Sequence, residues 1–195
     1  MDPGRSVAQA PPSGPGRTRE SRHARLVPRG PGRSVRQGQK GGSLTGPNPV
    51  DRGKPGSKIH ALSDRAGILL VVGVSAANTH DSQALKPLVN AIPPVRSRRG
   101  PRRSKPDKLH ADKGYDYPEL RDWLRSRRIV PRIARKGIES SEKLGKHRWV
   151  IERSIAWLFG YRRLTIRYER HAHLFCAFVT LAAALTCYKK LERAK

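Results

Sequence analysis

Two carboxylates frame the chemistry open to this chain. Asp112 closes the alternating part of DKLHADKGYD, residues 107–116, where Leu109 and Ala111 alternate with His110 and Asp112. Period two puts the latter pair on one face of a short strand, and Gly114 supplies the turn that follows. Glu152 lies in HRWVIERSIAWLFGYRRLTIRYER, residues 147–170. There Ile151, Ile155, Leu158 and Phe159 recur at helical spacing, with Glu152 on the border of the stripe and Arg148 one turn before it. A glutamate beside an apolar stripe is ordinarily a solvated flank residue. An aspartate at a strand's mouth gives it a second reading. Hard oxygen donors from two separate elements, with positions left open for water and phosphate, are what a magnesium site needs. Spacing alone does not decide, because an Asp and a Glu forty residues apart occur by chance in many proteins.

The other metal-ligand chemistries are poorly served. The seven histidines are scattered, with His171 and His173 the one close pair. Cys176 and Cys187 fall in one apolar helix, about 16 Å apart by helix rise, too far to bridge. They read as reduced thiols in a cytoplasmic protein.

The elements that must position the two acids read as a mixed α/β domain. Residues 46–57 form a Pro/Gly loop. Residues 58–63 and 68–75 then pair as strands across the turn Asp64-Arg65-Ala66-Gly67, and ILLVVGV is apolar enough for a central strand buried on both faces. Asp81 or Ser82 caps a helix carrying Leu85, Leu88, Val89 and Ile92. Asp116 and Glu119 resemble a capping box, with Pro118 in the first turn of a helix through Leu120, Trp123 and Leu124. Pro131 marks residues 129–134 as an edge strand. The Ala-rich run 174–188 is short of the roughly 20 residues that span a bilayer, so it is expected as a core helix against the sheet, with no membrane partner.

Charge points to the partner. Lys and Arg number 41 against 15 Asp and Glu, a formal charge of +26, far beyond what solubility requires. A polyanion is the natural partner, and charge by itself does not choose DNA over RNA. Arg98, Arg99, Arg102 and Arg103 crowd the loop that leads to Asp112, as solvated charge or as phosphate contacts. Trp149, Arg153 and Trp157, at every fourth position, are either core packing or a stacking and phosphate-contacting face. Arg162, Arg163, Arg167 and Arg170 add positive charge close to Glu152.

Four segments taken together, TGPNPVDRGKPGSKIHAL (45–62), SAANTHDSQAL (75–85), HADKGYDYPELRDWL (110–124) and RWVIERSIAWLFGYRRLTIRYER (148–170), resemble the DDE transposases of bacterial insertion sequences, in the insertion-sequence-five group. The resemblance covers roughly residues 38–191. It implies an RNase H-like mixed sheet flanked by helices that cuts double-stranded DNA at the element's terminal inverted repeats and joins it to target DNA. It further implies Mg2+ or Mn2+ as cofactor, a possible homo-oligomer, and a cytoplasmic, nucleoid-associated location. Asp112 matches the family's second catalytic acid and Glu152 its third, both as metal ligands. Arg148, Arg162, Arg163, Tyr168 and Glu169 match the motif around the glutamate. Arg148, Arg153 and neighbouring cations are then expected to position phosphates.

The upstream region departs from that pattern. Residues 1–40, rich in Gly, Pro, Arg, Ser and Ala and without an aromatic, are expected as a disordered basic arm ahead of a catalytic domain at 41–195. The same composition arises when a GC-rich gene is read in the wrong frame or before its true start. Ser34, Val35 and Arg36 resemble the run that follows the family's first catalytic aspartate, but Gly32 and Arg33 stand where the acid belongs. Upstream of residue 57 the carboxylates are Asp2, Glu20 and Asp51. The expectation is a domain lacking its first acid through truncation or a frameshift.

Overall fold

The computed structural model describes residues 23–27, 35–95, 102–135, 150 and 152–193. Its longest strand pairing is the hairpin of β4 (Pro55–Ser63) and β5 (Leu69–Ala76). Their register runs from Ser57 opposite Ala76 to Leu62 opposite Val71, then shifts to pair Ser63 with Leu69, which leaves Leu70 as the extra residue of a bulge. The turn between them closes on Asp64, whose Oδ1 accepts from the amides of Ala66 at 2.9 Å and Ile68 at 2.8 Å. Gly67 takes the positive φ of +87° that the turn demands.

The opposite edge of β4 is shared. β1 (His23–Val27) pairs antiparallel with its C-terminal half, and β2 (Val35–Gln37) with its N-terminal half. The two-residue β3 (Gly46–Pro47) also pairs with the start of β4. β6 (Lys108–Ala111) lies parallel to β1, and β7 (Val130–Ile133) parallel to β6. The order β5-β4-β1-β6-β7, with β4 the one reversed strand of the five, is the mixed sheet expected of an RNase H-like domain.

Both faces are covered. On one, Leu62, Leu109, Ala111 and Val71 pack with α1 (Leu85–Asn90) and α2 (Pro118–Ser126). On the other, Ile59, Ala61, Val72 and Val74 pack with Leu158 of a helix at 152–159, here α3, and with Phe175, Val179 and Ala183 of α4 (Ala172–Glu192). α4 thus lies against the sheet as expected from the sequence. At 21 residues with mean hydropathy 1.5 it also has the length and composition of a membrane span, but one of its faces belongs to the protein core.

Several local expectations are corrected. β5 is buried on both faces yet pairs with β4 alone among the described strands, so its continuous apolar run reflects two covered faces and not a central position. Asp81 opens a 3₁₀ turn (Asp81–Ala84) whose N-cap is His80, because its carboxylate is taken by Lys58 Nζ at 2.9 Å. α2 is capped by Tyr117 with no side-chain hydrogen bond. Asp116 instead binds Arg121 at 2.7 Å, and Glu119 pairs with Lys86. Pro118 does begin α2, and β7 with its Pro131 does end the described order. Finally, β1 and β2 extend the sheet upstream of residue 40. Ala24 and Leu26 alternate into the first core from within the Arg-rich stretch, a two-residue apolar signal that composition masks.

Candidate active site

Asp112 immediately follows β6 as the N-cap of the 3₁₀ turn Lys113–Tyr115, and its carboxylate accepts from the Lys113 amide. Leu109 and Ala111 face α1 and α2, so the alternation of β6 turns His110 and Asp112 to the side of α3 and α4. Glu152 lies on α3 over that same side, and both acids are half-buried.

α3 is fixed at both ends. At its start Ser154 Oγ donates to Gly67 O at 2.6 Å, and Arg153 Nη2 donates to Ala66 O at 2.9 Å, which docks the helix on the β4–β5 turn. At its end the Arg36 guanidinium of β2 lies 3.4 Å from the centroid of the Phe159 ring. Glu152, Ile155 and Phe159 share a stripe at i, i+3 and i+7, so Phe159 on β2 directs this stripe toward β1 and β2, while Leu158 enters the second core. The expected stripe is present in Ile155, Leu158 and Phe159; Ile151 lies outside the described residues.

The strand next to Asp112 is informative through its register. β1 sets Arg25 beside His110 on β6, and continuing two residues brings Val27 level with Asp112. Val27 is also opposite Ala61, a β4 residue that faces the second core, so this register position lies level with Asp112 on one strand and with Ala61 on the other. From Val27, opposite Ala61, to Val35, opposite Lys58, β4 advances three residues while this chain advances eight. That is five more than an unbroken strand requires. Extending β2 upstream without a break would set position 32 opposite Ala61, the same level. By either register the place beside Asp112 has no acid, because no Asp or Glu occurs between Glu20 and Asp51. Gly32 and Arg33 themselves lie outside the described residues. Asp51 sits in the β3–β4 turn with Lys54 at 3.5 Å.

Among the described residues no three His, Cys, Asp or Glu side chains are grouped closely enough to hold a metal ion. Asp112 and Glu152 offer hard oxygens of the right chemistry for Mg2+, but two carboxylates fall short of the donor set that a resident ion requires.

The arginines separate by role. Arg162 and Arg163 are exposed in the 3₁₀ turn Arg162–Leu164, and Arg163 pairs with the buried Glu169. Arg153, docked on the hairpin, also lies 5.0 Å from the centroid of Trp157, so it serves the packing of α3 at least as much as any phosphate. Arg102 and Arg103 are exposed, with Arg103 3.4 Å from Asp107. Because they precede the start of β6, the strand carries Asp112 away from them by about 15 Å at 3.3 Å per residue. Arg98, Arg99, Arg148 and Trp149 lie outside the described residues.

Two features escaped sequence reasoning. Arg167 is fully buried, and its guanidinium donates to the carbonyls of Ser43 at 2.7 Å, Glu169 at 2.9 Å, Leu44 at 3.2 Å and Arg170 at 3.2 Å, to Thr45 Oγ1 at 3.1 Å and to Ser57 Oγ. It clamps the segment behind Glu152 to the start of β4 and adds no charge to the surface. Nothing in a run of arginines distinguishes it. The second is a buried polar group under the strand ends. Tyr115 is fully buried with its hydroxyl unpartnered, and burial, followed by the charges of Asp81 and Asp112, pushes its ionisation well up.

Comparison with known proteins decides the family. The model of the transposase DDE domain matches residues 27–187, most of the chain, starting at the end of β1. The chain belongs to this family. It is 47% identical over 150 residues to a protein of Burkholderia cepacia assigned as the transposase for insertion sequence element IS402, covering 77% of this chain and 71% of that protein. It is 29% identical over 130 residues to the transposase for insertion sequence element IS1106 of Neisseria meningitidis serogroup B, covering 62% of this chain and 40% of that one. Members of the family are DNA-cutting and strand-joining enzymes that work with divalent cations.

Proposed function

We propose that this chain is an insertion-sequence transposase domain that holds double-stranded DNA at terminal inverted repeats, with Asp112 and Glu152 as two of three catalytic acids. The third place, beside Asp112 on the neighbouring strand, carries no carboxylate. The observation that carries this reading is the register that levels Val27 with Asp112, together with the absence of any acid between Glu20 and Asp51.

The reaction of such a site is an in-line displacement at phosphorus. Water attacks a phosphodiester, the bond to the 3′ oxygen breaks, and a 3′ hydroxyl is freed; that hydroxyl then attacks a target phosphodiester, joining the strands as the target's own 3′ oxygen leaves. Mg2+ or Mn2+, when bound, stabilises the charge on the attacking and leaving oxygens. Asp112 and Glu152 are the residues that would hold it. Arg162 and Arg163, beyond the end of α3, meet the DNA phosphates, with Arg102 and Arg103 contacting DNA farther from the reacting bond. The place of action is nucleoid DNA in the bacterial cytoplasm.

With one acid missing, the chain binds DNA but does not cut it, and by occupying element ends it competes with a full-length transposase. A cleavage assay on DNA with flanking inverted repeats, with Mg2+ present, tests both parts. The chain should retain the DNA uncut, and a version in which a strand ending in Asp replaces residues 23–32 should cut it. If that version folds, binds Mg2+ and DNA, and still does not cut, the assignment of Asp112 and Glu152 is wrong.

A further inference from the structure

β1 fills its place in the sheet poorly. It runs between β4, antiparallel to it, and β6, parallel to it, so both of its edges are paired. Its contribution to the first core is Ala24 and Leu26. Between them Arg25 is buried, opposite Ser63 and beside His110. Burial lowers its pKa, the charge of Arg65 lowers it further, and Asp64 opposes both. A cation buried in a sheet weakens its strand relative to a well-packed apolar residue. The neighbouring hairpin has no such burden, burying Ile59, Ala61, Leu62, Val71, Val72 and Val74. Similarity to the transposase DDE domain starts at residue 27, so all of β1 but its last residue lies outside the part of the chain that the family shares. β2 pairs with Gly56, Ser57 and Lys58, and β1 with Ala61, Leu62 and Ser63, so β1 can leave without breaking any pair of β2.

We infer that the slot between β4 and β6 is an acceptor groove for an extended segment of another polypeptide, which displaces β1 and brings a carboxylate level with Asp112. The inference rests on the reading of Asp112 and Glu152 as two acids of three. The slot dictates the direction and pattern of the segment. Because β4 and β6 run opposite ways, a segment that keeps both ladders enters antiparallel to β4 and parallel to β6. Level with Ala24 and Leu26 it must be apolar, and small at the first, where Ala24 is fully buried. Level with Arg25 an apolar residue removes the buried cation. Level with Val27 an Asp stands beside Asp112, and period two turns it away from the core that takes the residues level with Ala24 and Leu26. The pattern is therefore small apolar, apolar, apolar, Asp. The incoming backbone re-forms the hydrogen bonds that β1 gives up, so the side chains decide which strand stays.

The test uses the full chain and a fluorescein-labelled peptide, Lys-Lys-Thr-Ala-Val-Leu-Asp-Gly-Ser, whose Ala-Val-Leu-Asp matches positions 24–27. Fluorescence anisotropy should show binding that the reversed sequence and a scrambled peptide of the same composition lack, which separates strand entry from attraction by charge. As the peptide binds, the amides of residues 24–27 should lose protection from hydrogen exchange while those of β4 and β6 keep theirs. Arg25→Val, which gives the resident strand the peptide's own apolar residue, should weaken peptide binding about tenfold. Failure of the peptide to bind both the unaltered chain and Leu26→Ser, in which the resident strand is loosened, overturns the proposal. So does binding that leaves residues 24–27 protected, which would place the peptide on an edge of the sheet. Cleavage of inverted-repeat DNA with Mg2+ is read separately. If the peptide binds with release of β1 and the DNA stays uncut, the groove stands and the reading of Asp112 and Glu152 as catalytic acids fails.

Discussion

Replacing Arg167 by Met keeps most of the stem and removes every donor of the guanidinium. Six acceptors from three regions of chain then lose a donor: the Ser43 and Leu44 carbonyls and the Thr45 hydroxyl, the Ser57 hydroxyl at the start of β4, and the Glu169 and Arg170 carbonyls, of which Leu44 keeps the Ser57 hydroxyl and Arg170 the Ser43 amide. An unsatisfied buried acceptor costs about 1–3 kcal/mol, but burying the arginine is itself costly. Desolvation lowers the Arg167 pKa, and only the charge of Glu169 opposes it. Recovering that cost and letting water reach the 43–45 loop offsets part of the loss. The expected net destabilisation is about 3–5 kcal/mol, the range for breaking a buried charged network from one side. Urea denaturation followed by circular dichroism measures it as a lower midpoint at constant slope. Arg167→Lys, with three donors on a point charge, should recover less than half. A loss below about 1 kcal/mol for Arg167→Met would refute the clamp, since the acceptors would then be satisfied without it.

Three further outcomes follow from the same structure. Burial depresses His60 to a pKa of about 4 against an ordinary 6.5, outweighing the opposing charge of Asp81, while its Nε2 lies 2.7 Å from Ser75 Oγ. The unfolded chain therefore takes up a proton first as pH falls, so stability present above pH 6.5 drops by about 3 kcal/mol by pH 4, and His60→Gln should flatten that part of a stability–pH curve. Gly67→Ala puts a Cβ 2.7 Å from Ser154 Oγ at a φ of +87°, and should cost about 1–3 kcal/mol in the melting profile while loosening α3, seen as faster amide exchange at residues 152–159. Binding of duplex DNA should weaken steeply with salt, and Arg162→Ala should reduce the slope of log K against log salt by about 0.9, equally for repeat and random sequence; a change confined to one sequence would mean base readout in place of phosphate contact.

The β4–β5 hairpin and the α3 stripe are legible because alternation and helical period survive in them without interruption. Partner choice by single side chains is not. Asp81 and Asp116 have the sequence context of helix caps, but Lys58 and Arg121, brought close by the fold, outbid the local amides with a full charge. β1 is hidden because two buried apolar residues among arginines, glycines and prolines carry almost no periodic signal, and a parallel partner 85 residues away supplies the rest. Arg167 shows the same limit. Its burial depends on loop 43–45 folding over it, which no local pattern around residue 167 encodes. At the candidate site the two acids are readable from resemblance, whereas the level of the missing one becomes visible only through the pairing of β1 with both β4 and β6.

The most direct test of the incomplete acid set is to supply the acid. Val27→Asp places a carboxylate in the strand position level with Asp112, and Mg2+ binding to the folded protein is read as a rise in melting temperature alongside cleavage of inverted-repeat DNA. The chain as it stands should show no Mg2+-dependent rise and no cleavage, and Val27→Asp should show both, lost again on Asp112→Asn. Mg2+-dependent cutting by the unaltered chain, abolished by Asp112→Asn, would contradict it, because some other group would then be filling the third place.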